Sequence, residues 1–337
     1  MHRQKPRVPP AAGLAVLGAL ALLSAVLGLW YGSTLVNIPA TVRELLSGGA
    51  ESPQSRILLY VRLPRVCASL LSGAALAVSG MLIQAVLNNP LASPNVIGVN
   101  AGAGFFTFLA MAVLPSMSWA PPLGAFLGAL LSTLIVYAVA AGAGAGRLTI
   151  ILSGVAVSSI FTAGLNAIKT LSPDTLYNGS AFLIGGFSGV AMKDLFPAGY
   201  AILVGLALAL IAGRQADLLV LGEETSKSLG MNVGRVRFAI IIIACVLAGC
   251  AVSFSGLLSF VGLLAPHIVR RLFNEARTGH RVLLPAAALL GAGFVTMCDL
   301  LSRVLFAPYE LPVGILLSFI GGPFFLMLIL RQRRRGR

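Results

Sequence analysis

VCASLLSGAALAVSGMLIQAVLNNPLASPNVIGVNAGAGFFTFLAMAVLPSMSWAPPLGAFLGALLSTLIVYAVAAGAGAG, Val66–Gly146, holds no Asp, Glu, Lys or Arg. Such a run is too long for a soluble core and has room for about three membrane spans of ~20 residues. The rest of the chain agrees. Of its 337 residues 58% are hydrophobic and 10% charged, against about 25% charged in a soluble domain, and the mean hydropathy is +0.95. An integral membrane protein follows. In lipid every backbone polar group must be satisfied internally, so spans are helices or a closed barrel. Long continuous apolar runs, in place of ten-residue alternation, select helices, and the fold class is all-α.

Working outward, ten spans fit, at roughly 11–32, 64–87, 95–114, 120–140, 148–168, 195–213, 235–254, 257–271, 281–304 and 311–330, in a single domain over 1–337. The start, MHRQKPRVPP and then Ala11–Trp30, has the basic head of a signal peptide. Its apolar run is too long for an h-region and no A-x-A-like site follows closely, so it is read as the first span. The short eighth span comes from arithmetic. Phe238 to Val269 carries no charge; as one straight helix it would reach about 48 Å, beyond a hydrocarbon core of ~30 Å. The chain must turn, and Ser253–Gly256 is the expected place.

An even number of spans puts both termini on one side. Of the 24 Lys and Arg, seven (Arg43, Arg56, Arg62, Arg65, Lys169, Lys193 and Arg303) fall on the far side and 17 on the side of the termini. The positive-inside rule makes that side cytoplasmic. It also accounts for the net charge of +14 without nucleic acid. The four cysteines, Cys67, Cys245, Cys250 and Cys298, lie in apolar runs with no CxxC pair and read as small core residues. Three histidines, His2, His267 and His280, argue against a site for a bare transition-metal ion.

Ser69, Gly73 and Ala77 repeat at i, i+4, i+8 and would let another helix approach span two closely. Ser79-Gly80 precedes Pro90, and Ser255-Gly256 precedes Pro266, each by ten residues from the glycine, at an offset of 176. That is either a trace of two related halves or a chance match.

The polar stretch Asp217–Asn232, DLLVLGEETSKSLGMN, lies between two spans on the cytoplasmic side. It reads as two short helices broken at Gly222, the first with an apolar face of Leu218, Leu219 and Leu221. The second carries Glu223 and Lys227 at i,i+4 in the stabilising order and stops at Gly230. It is a solvated connector or a docking surface. No P-loop, H-E-x-x-H or G-x-S-x-G occurs, so the chain has no nucleotide or hydrolase motif of its own. Asp299, four residues before Arg303, reads as one half of a helical ion pair in preference to a proton relay. Arg62 and Arg65, in RLPR, are either snorkelling span-end arginines or a basic pocket for an acidic partner. The glycine-rich turn Gly142–Gly146 is filler or a pliable gate.

These residues fall into a known pattern. RLPR (Arg62–Arg65), SGAALAVSGMLIQAVLNNPLASPNVIGVNAGAG (Ser72–Gly104), LGEETSKSLGMNV (Leu221–Val233) and SGLLSFVGLLAPHIVRRL (Ser255–Leu272) resemble the FecCD-type permeases of ABC importers for iron–siderophores, haem and vitamin B12. So do HRVLLPAAALLGA (His280–Ala292), DLLSR (Asp299–Arg303) and ELPVGILLSFIGGPFF (Glu310–Phe325), in order along residues 60–330. The resemblance implies the ten-helix fold of the vitamin B12 importer permease, in a bacterial cytoplasmic (inner) membrane. It implies a second permease subunit, taken as an identical copy with a different permease as the alternative. It implies separate ATPase subunits that use ATP and Mg, an external substrate-binding protein, and no cofactor or metal on this chain. Carried over residue by residue, Leu221, Glu223, Glu224, Leu229 and Gly230 would meet the ATPase. Arg62, Arg65 and Arg303 would dock the binding protein, and Gly144, Ala145 and Gly146 would form the cytoplasmic gate. The expected cargo is a ferric siderophore, with haem or cobalamin as alternatives. An ion-coupled secondary transporter depending on Asp299 and a non-transporting scaffold are the competing classes; the missing P-loop, the scarcity of buried charge and the ordered motifs count against both.

Overall fold

The computed structural model describes residues 9–34, 36–47, 52–144, 146–274 and 278–335. The helices are α1 (Pro10–Trp30), α2 (Ile38–Leu46), α3 (Pro53–Ile57), α4 (Leu63–Leu87), α5 (Val99–Val113), α6 (Ala120–Gly142), α7 (Arg147–Leu171) and α8 (Pro173–Ile184). They continue with α9 (Met192–Ile211), α10 (Gly213–Val220), α11 (Glu223–Ser228), α12 (Val233–Ser255), α13 (Val261–Phe273), α14 (His280–Val304) and α15 (Val313–Arg335). The described residues contain no strand. Among the described residues seven helices are long and apolar enough to cross a membrane. With the shorter α5, α13 and α15 they occupy all ten expected spans. The protein is a multi-pass membrane protein.

Helix α4 is the hub, packed against α1, α9, α12, α13 and α14. Its sequence explains why. The stripe Ser69, Gly73, Ala77 is buried, and a Cβ on Gly73 would strike the Gly291 carbonyl of α14. About two turns on, a Cβ on Gly80 would strike the Gly262 carbonyl of α13. Backbones touch at both crossings, as small residues permit in membranes.

Span two differs from expectation at its outer end. In place of a helix starting near Leu63, one continuous helical stretch of 35 residues runs from Pro53 to Leu87, about 52 Å at 1.5 Å per residue. A π-helical turn, Leu58–Arg62, interrupts it. Pro64 cannot donate to a carbonyl in the preceding turn and its ring crowds that turn; the wider π turn directly before it absorbs both defects.

The turn between the seventh and eighth spans is where length demanded it. Helix α12 ends at Ser255, Gly256 takes φ +68°, and α13 starts at Val261. This irregular backbone lies inside the protein and finds partners there. Leu257 N donates to Phe182 O (2.9 Å), Gly186 N to Ser255 O (2.8 Å) and Gly314 N to Gly185 O (3.0 Å). Three chain breaks thus satisfy one another, as non-helical backbone at membrane depth must. The paired Gly–Pro spacings do not land on equivalent structure: Gly80 lies inside α4, whereas Gly256 ends α12.

Candidate functional site

The two ends of the bundle carry the polar chemistry. At one end lies the Asp217–Asn232 stretch. It forms α10 and α11 with the break at Gly222, whose φ of +103° suits glycine. Ser226, fully buried, locks the pair: its hydroxyl donates to Leu218 O (2.7 Å) and Gly222 O (2.6 Å). The two short helices therefore form one rigid unit. Gly230 (φ +81°) ends α11, and the Asn232 side chain caps α12 by accepting from Arg235 N at 3.1 Å.

Three contacts fasten this unit to long helices. Glu223 pairs with Lys227 (2.9 Å) on its own turn and with the buried Arg237 of α12 (2.9 Å). Hydrogen bonds from Lys227 and Arg237 hold the Glu223 carboxyl below the ordinary range. Asp217 binds His280 at the start of α14 through its ring Nδ1 (2.6 Å) and its backbone N (2.9 Å). Burial would raise the Asp217 carboxyl, but these bonds outweigh it and lower it. Arg147, the first residue of α7, reaches Leu219 O at 3.4 Å. Leu219 is buried, while Leu221 and Leu229 are 58% and 60% exposed and Glu224 is exposed beside them.

The five residues expected to meet an ATPase therefore divide. Leu221, Glu224 and Leu229 form an outward face, Gly230 ends the helix, and Glu223 points inward to Arg237. The expected gate lies one contact away. Gly144 (φ +94°) is exposed, with open space where a Cβ would stand, Gly146 precedes α7, and Ala145 falls outside the described residues.

At the other end the three expected docking arginines come together, but inside the protein. Arg62, Arg65 and Arg303 are 3%, 6% and 3% exposed. Arg62 donates to the carbonyls of Leu29 (2.8 Å) and Trp30 (2.7 Å) that end α1. Arg65 pairs with Asp299 (3.0 Å) and Glu310 (2.6 Å). Arg303 pairs with Asp299 (3.2 Å) and donates to Gly28 O (3.3 Å). In the isolated chain the three arginines are buried and already partnered. The helix from Pro53 runs through the RLPR motif, so its arginines face α1 and α14 instead of standing at the mouth of a span. The Asp299–Arg303 pair read from the sequence is present; that Arg65 shares it was not visible there. Glu310, in the loop before α15, also accepts from Ser33 Oγ (3.0 Å). Burial would raise its carboxyl, but the Arg65 bond prevails and lowers it.

Sequence reasoning missed Ser226, Arg237, Asp217, His280, Arg147 and Glu310. Ser226 bonds within its own stretch, but partners of the others lie up to 245 residues away, where no local spacing marks them. Met327 and Leu328 of α15 share a pocket with Arg271 of α13, so α15 finishes at the α10–α11 end, where α1 also starts. Among the described residues no cluster of three His, Cys, Asp or Glu side chains is present.

An all-helical bundle whose polar chemistry sits at its two ends, with a rigid helical pair fastened to its spans at one of them, defines a polytopic membrane permease. The match is specific. The chain belongs to the FecCD transport family, whose profile matches residues 20–331. It is 38% identical to the Fe(3+)-citrate import system permease protein YfmD of Bacillus subtilis over 314 residues, 92% of this chain and 91% of that protein. It is 34% identical to the hemin transport system permease protein HmuU of Yersinia pestis over 342 residues, 99% and 98% of the two chains. A solved inward-facing conformation of a metal-chelate type ABC transporter superposes with a TM-score of 0.80 at 29% identity, covering 94% of this chain and 98% of that one.

Proposed function

We propose that this chain is the permease subunit of a binding-protein-dependent ABC importer in the bacterial cytoplasmic membrane, moving a ferric siderophore inward. The α10–α11 end faces the cytoplasm, and both termini with it; the excess of Lys and Arg supports this. A separate ATPase supplies the energy, since no P-loop is present. The observation that carries the reading is the rigid α10–α11 unit, with Leu221, Glu224 and Leu229 outward and its inner side bound to α7, α12 and α14. A partner that grips the outward face would move three spans at once, a rigid-body transmission. The turn at Gly144–Gly146 then acts as a gate, tied to the unit through Arg147.

A second permease, taken as an identical copy, completes the path. Ser159, Thr162, Asn166 and Thr170 are exposed on one face of α7, where a lipid contact would be unfavourable and a water-filled path would suit them. The binding protein docks at the arginine end. Because Arg65 is already paired there, an acidic side chain of the partner takes its Nη1 from the half-exposed Glu310. Iron–citrate and siderophore relatives support a chelated ferric cargo, and the hemin permease keeps haem as a second reading.

The test is reconstitution in proteoliposomes with the cognate ATPase and binding protein. Glu224→Lys with Leu229→Asp should cut ATP-driven uptake at least ~tenfold, as loss of central interface residues does. Wild-type uptake by that variant would remove the docking assignment. In the same system Glu310→Gln should tighten binding-protein docking, with an affinity that falls as salt rises; unchanged affinity places docking elsewhere. Titrating the binding protein with ferric siderophore and haem decides the cargo.

A further inference from the structure

Helix α14 begins without a cap of its own. Its preceding residue is Gly279, which has no side chain to accept from the first turn, and helix starts leave such donors unsatisfied. The acceptor comes from 63 residues earlier. Asp217 of α10 takes the His280 N–H at 2.9 Å and the ring Nδ1–H at 2.6 Å on one carboxylate oxygen. Its other oxygen fills the place a Cβ on residue 279 would need, 2.8 Å away. A carboxylate at the positive end of a long helix is favourable in itself. His280 is buried and its Nε2 has no partner, so the Asp217 bond is what holds the ring.

The far end of α14 bears Asp299 and Arg303, the centre of the arginine cluster. Between the two ends, Gly291 meets the backbone of Gly73 on α4. This contact allows α14 to turn about the crossing but not to move toward α4. Pro285, one turn in from the start, leaves the Arg281 carbonyl without its helical donor. The neighbouring Leu283, Leu284, Ala286 and Ala287 are all buried, so packing braces the helix at this point.

We propose that Asp217 and His280 are positioning residues forming the joint by which the α10–α11 unit moves α14, which turns about the Gly73–Gly291 crossing and displaces the Asp299–Arg65 pair at the opposite face. The proposal rests on the reading of α10–α11 as the coupling unit, and deepens it by naming the helix that carries the motion outward.

Hydrogen–deuterium exchange of the purified full chain in lipid nanodiscs tests it, with no ATPase in the sample. Asp217→Ala and His280→Ala should each raise uptake in α10, in the first turn of α14 and, at least ~twofold, in peptides covering 300–312, while α5 and α6 keep wild-type protection. His280→Asn, whose amide can donate from the Nδ1 position, and Asp217→Asn, which keeps an acceptor oxygen, should return the 300–312 peptides to the wild-type level. Uptake confined to the α10 end overturns the proposal. So does uptake raised through α5 and α6 as well, or failure of both conservative variants to restore protection. Failure here leaves ATPase docking untouched, and failure of the docking variants leaves this exchange pattern untouched.

Discussion

Asp299 has no measurable exposure and stands between two buried guanidiniums. Desolvating such a cluster is costly, and removing one partner is worse than removing all, because the remaining charges stay buried and unpaired. Asp299→Asn should therefore destabilise the purified protein by about 3–5 kcal/mol, read as a lower thermal midpoint in detergent. A midpoint equal to wild type would mean that Glu310 alone can hold both arginines. Glu223 and Glu224 make the complementary case. Adjacent and identical in sequence, they look like one acidic patch. The fold turns Glu223 toward Arg237 and leaves Glu224 outward. Sequence could nominate both but not divide them, since the division depends on a side chain 14 residues on, in another helix.

At the scale of elements, the ten spans and the break after Ser255 were legible because lipid thickness and charge-free length leave few alternatives. The short helices α2 and α8, nine and 12 residues, were not, because neither has the length or the uninterrupted apolarity of a span. The glycines were also silent one by one. Structure separates them by what their missing side chains admit. Gly80→Leu should force α4 from α13 and abolish the monodisperse peak of the solubilised protein, since a Cβ there meets backbone that cannot yield. Gly142→Leu, with nothing within 4 Å, should leave the peak intact. Loss of the peak in both, or in neither, would show that the α4–α13 crossing does not set the fold.

For the whole molecule, the exposed faces decide what the isolated chain still lacks. Helix α1 shows Leu20, Leu22 and Leu23 to its surroundings, a surface suited to lipid. Helix α7 shows Ser159, Thr162, Asn166 and Thr170, a polar stripe suited to water, beside the exposed Leu152, Val155 and Ile160. A cysteine at Asn166 should thus react with a membrane-impermeant charged thiol reagent in the assembled transporter, and a cysteine at Leu20 should not. Equal protection of the two would remove α7 from the path. This asymmetry is hard to read from sequence, because both helices pass as apolar spans and only packing shows which side of each is left open.

The Arg65–Asp299 pair also has a history within each molecule. The arginine leaves the ribosome 234 residues before its carboxylate, about 10–50 s at ordinary rates of synthesis. During that interval span two is already due in the bilayer, with a charge that belongs in the interior and has nothing there to meet. The helix destined to be the hub must wait at a water-rich boundary, or in the care of the insertion machinery, until the ninth span arrives. A nascent chain stopped before Asp299 would hold that arginine without the carboxylate it meets in the folded protein.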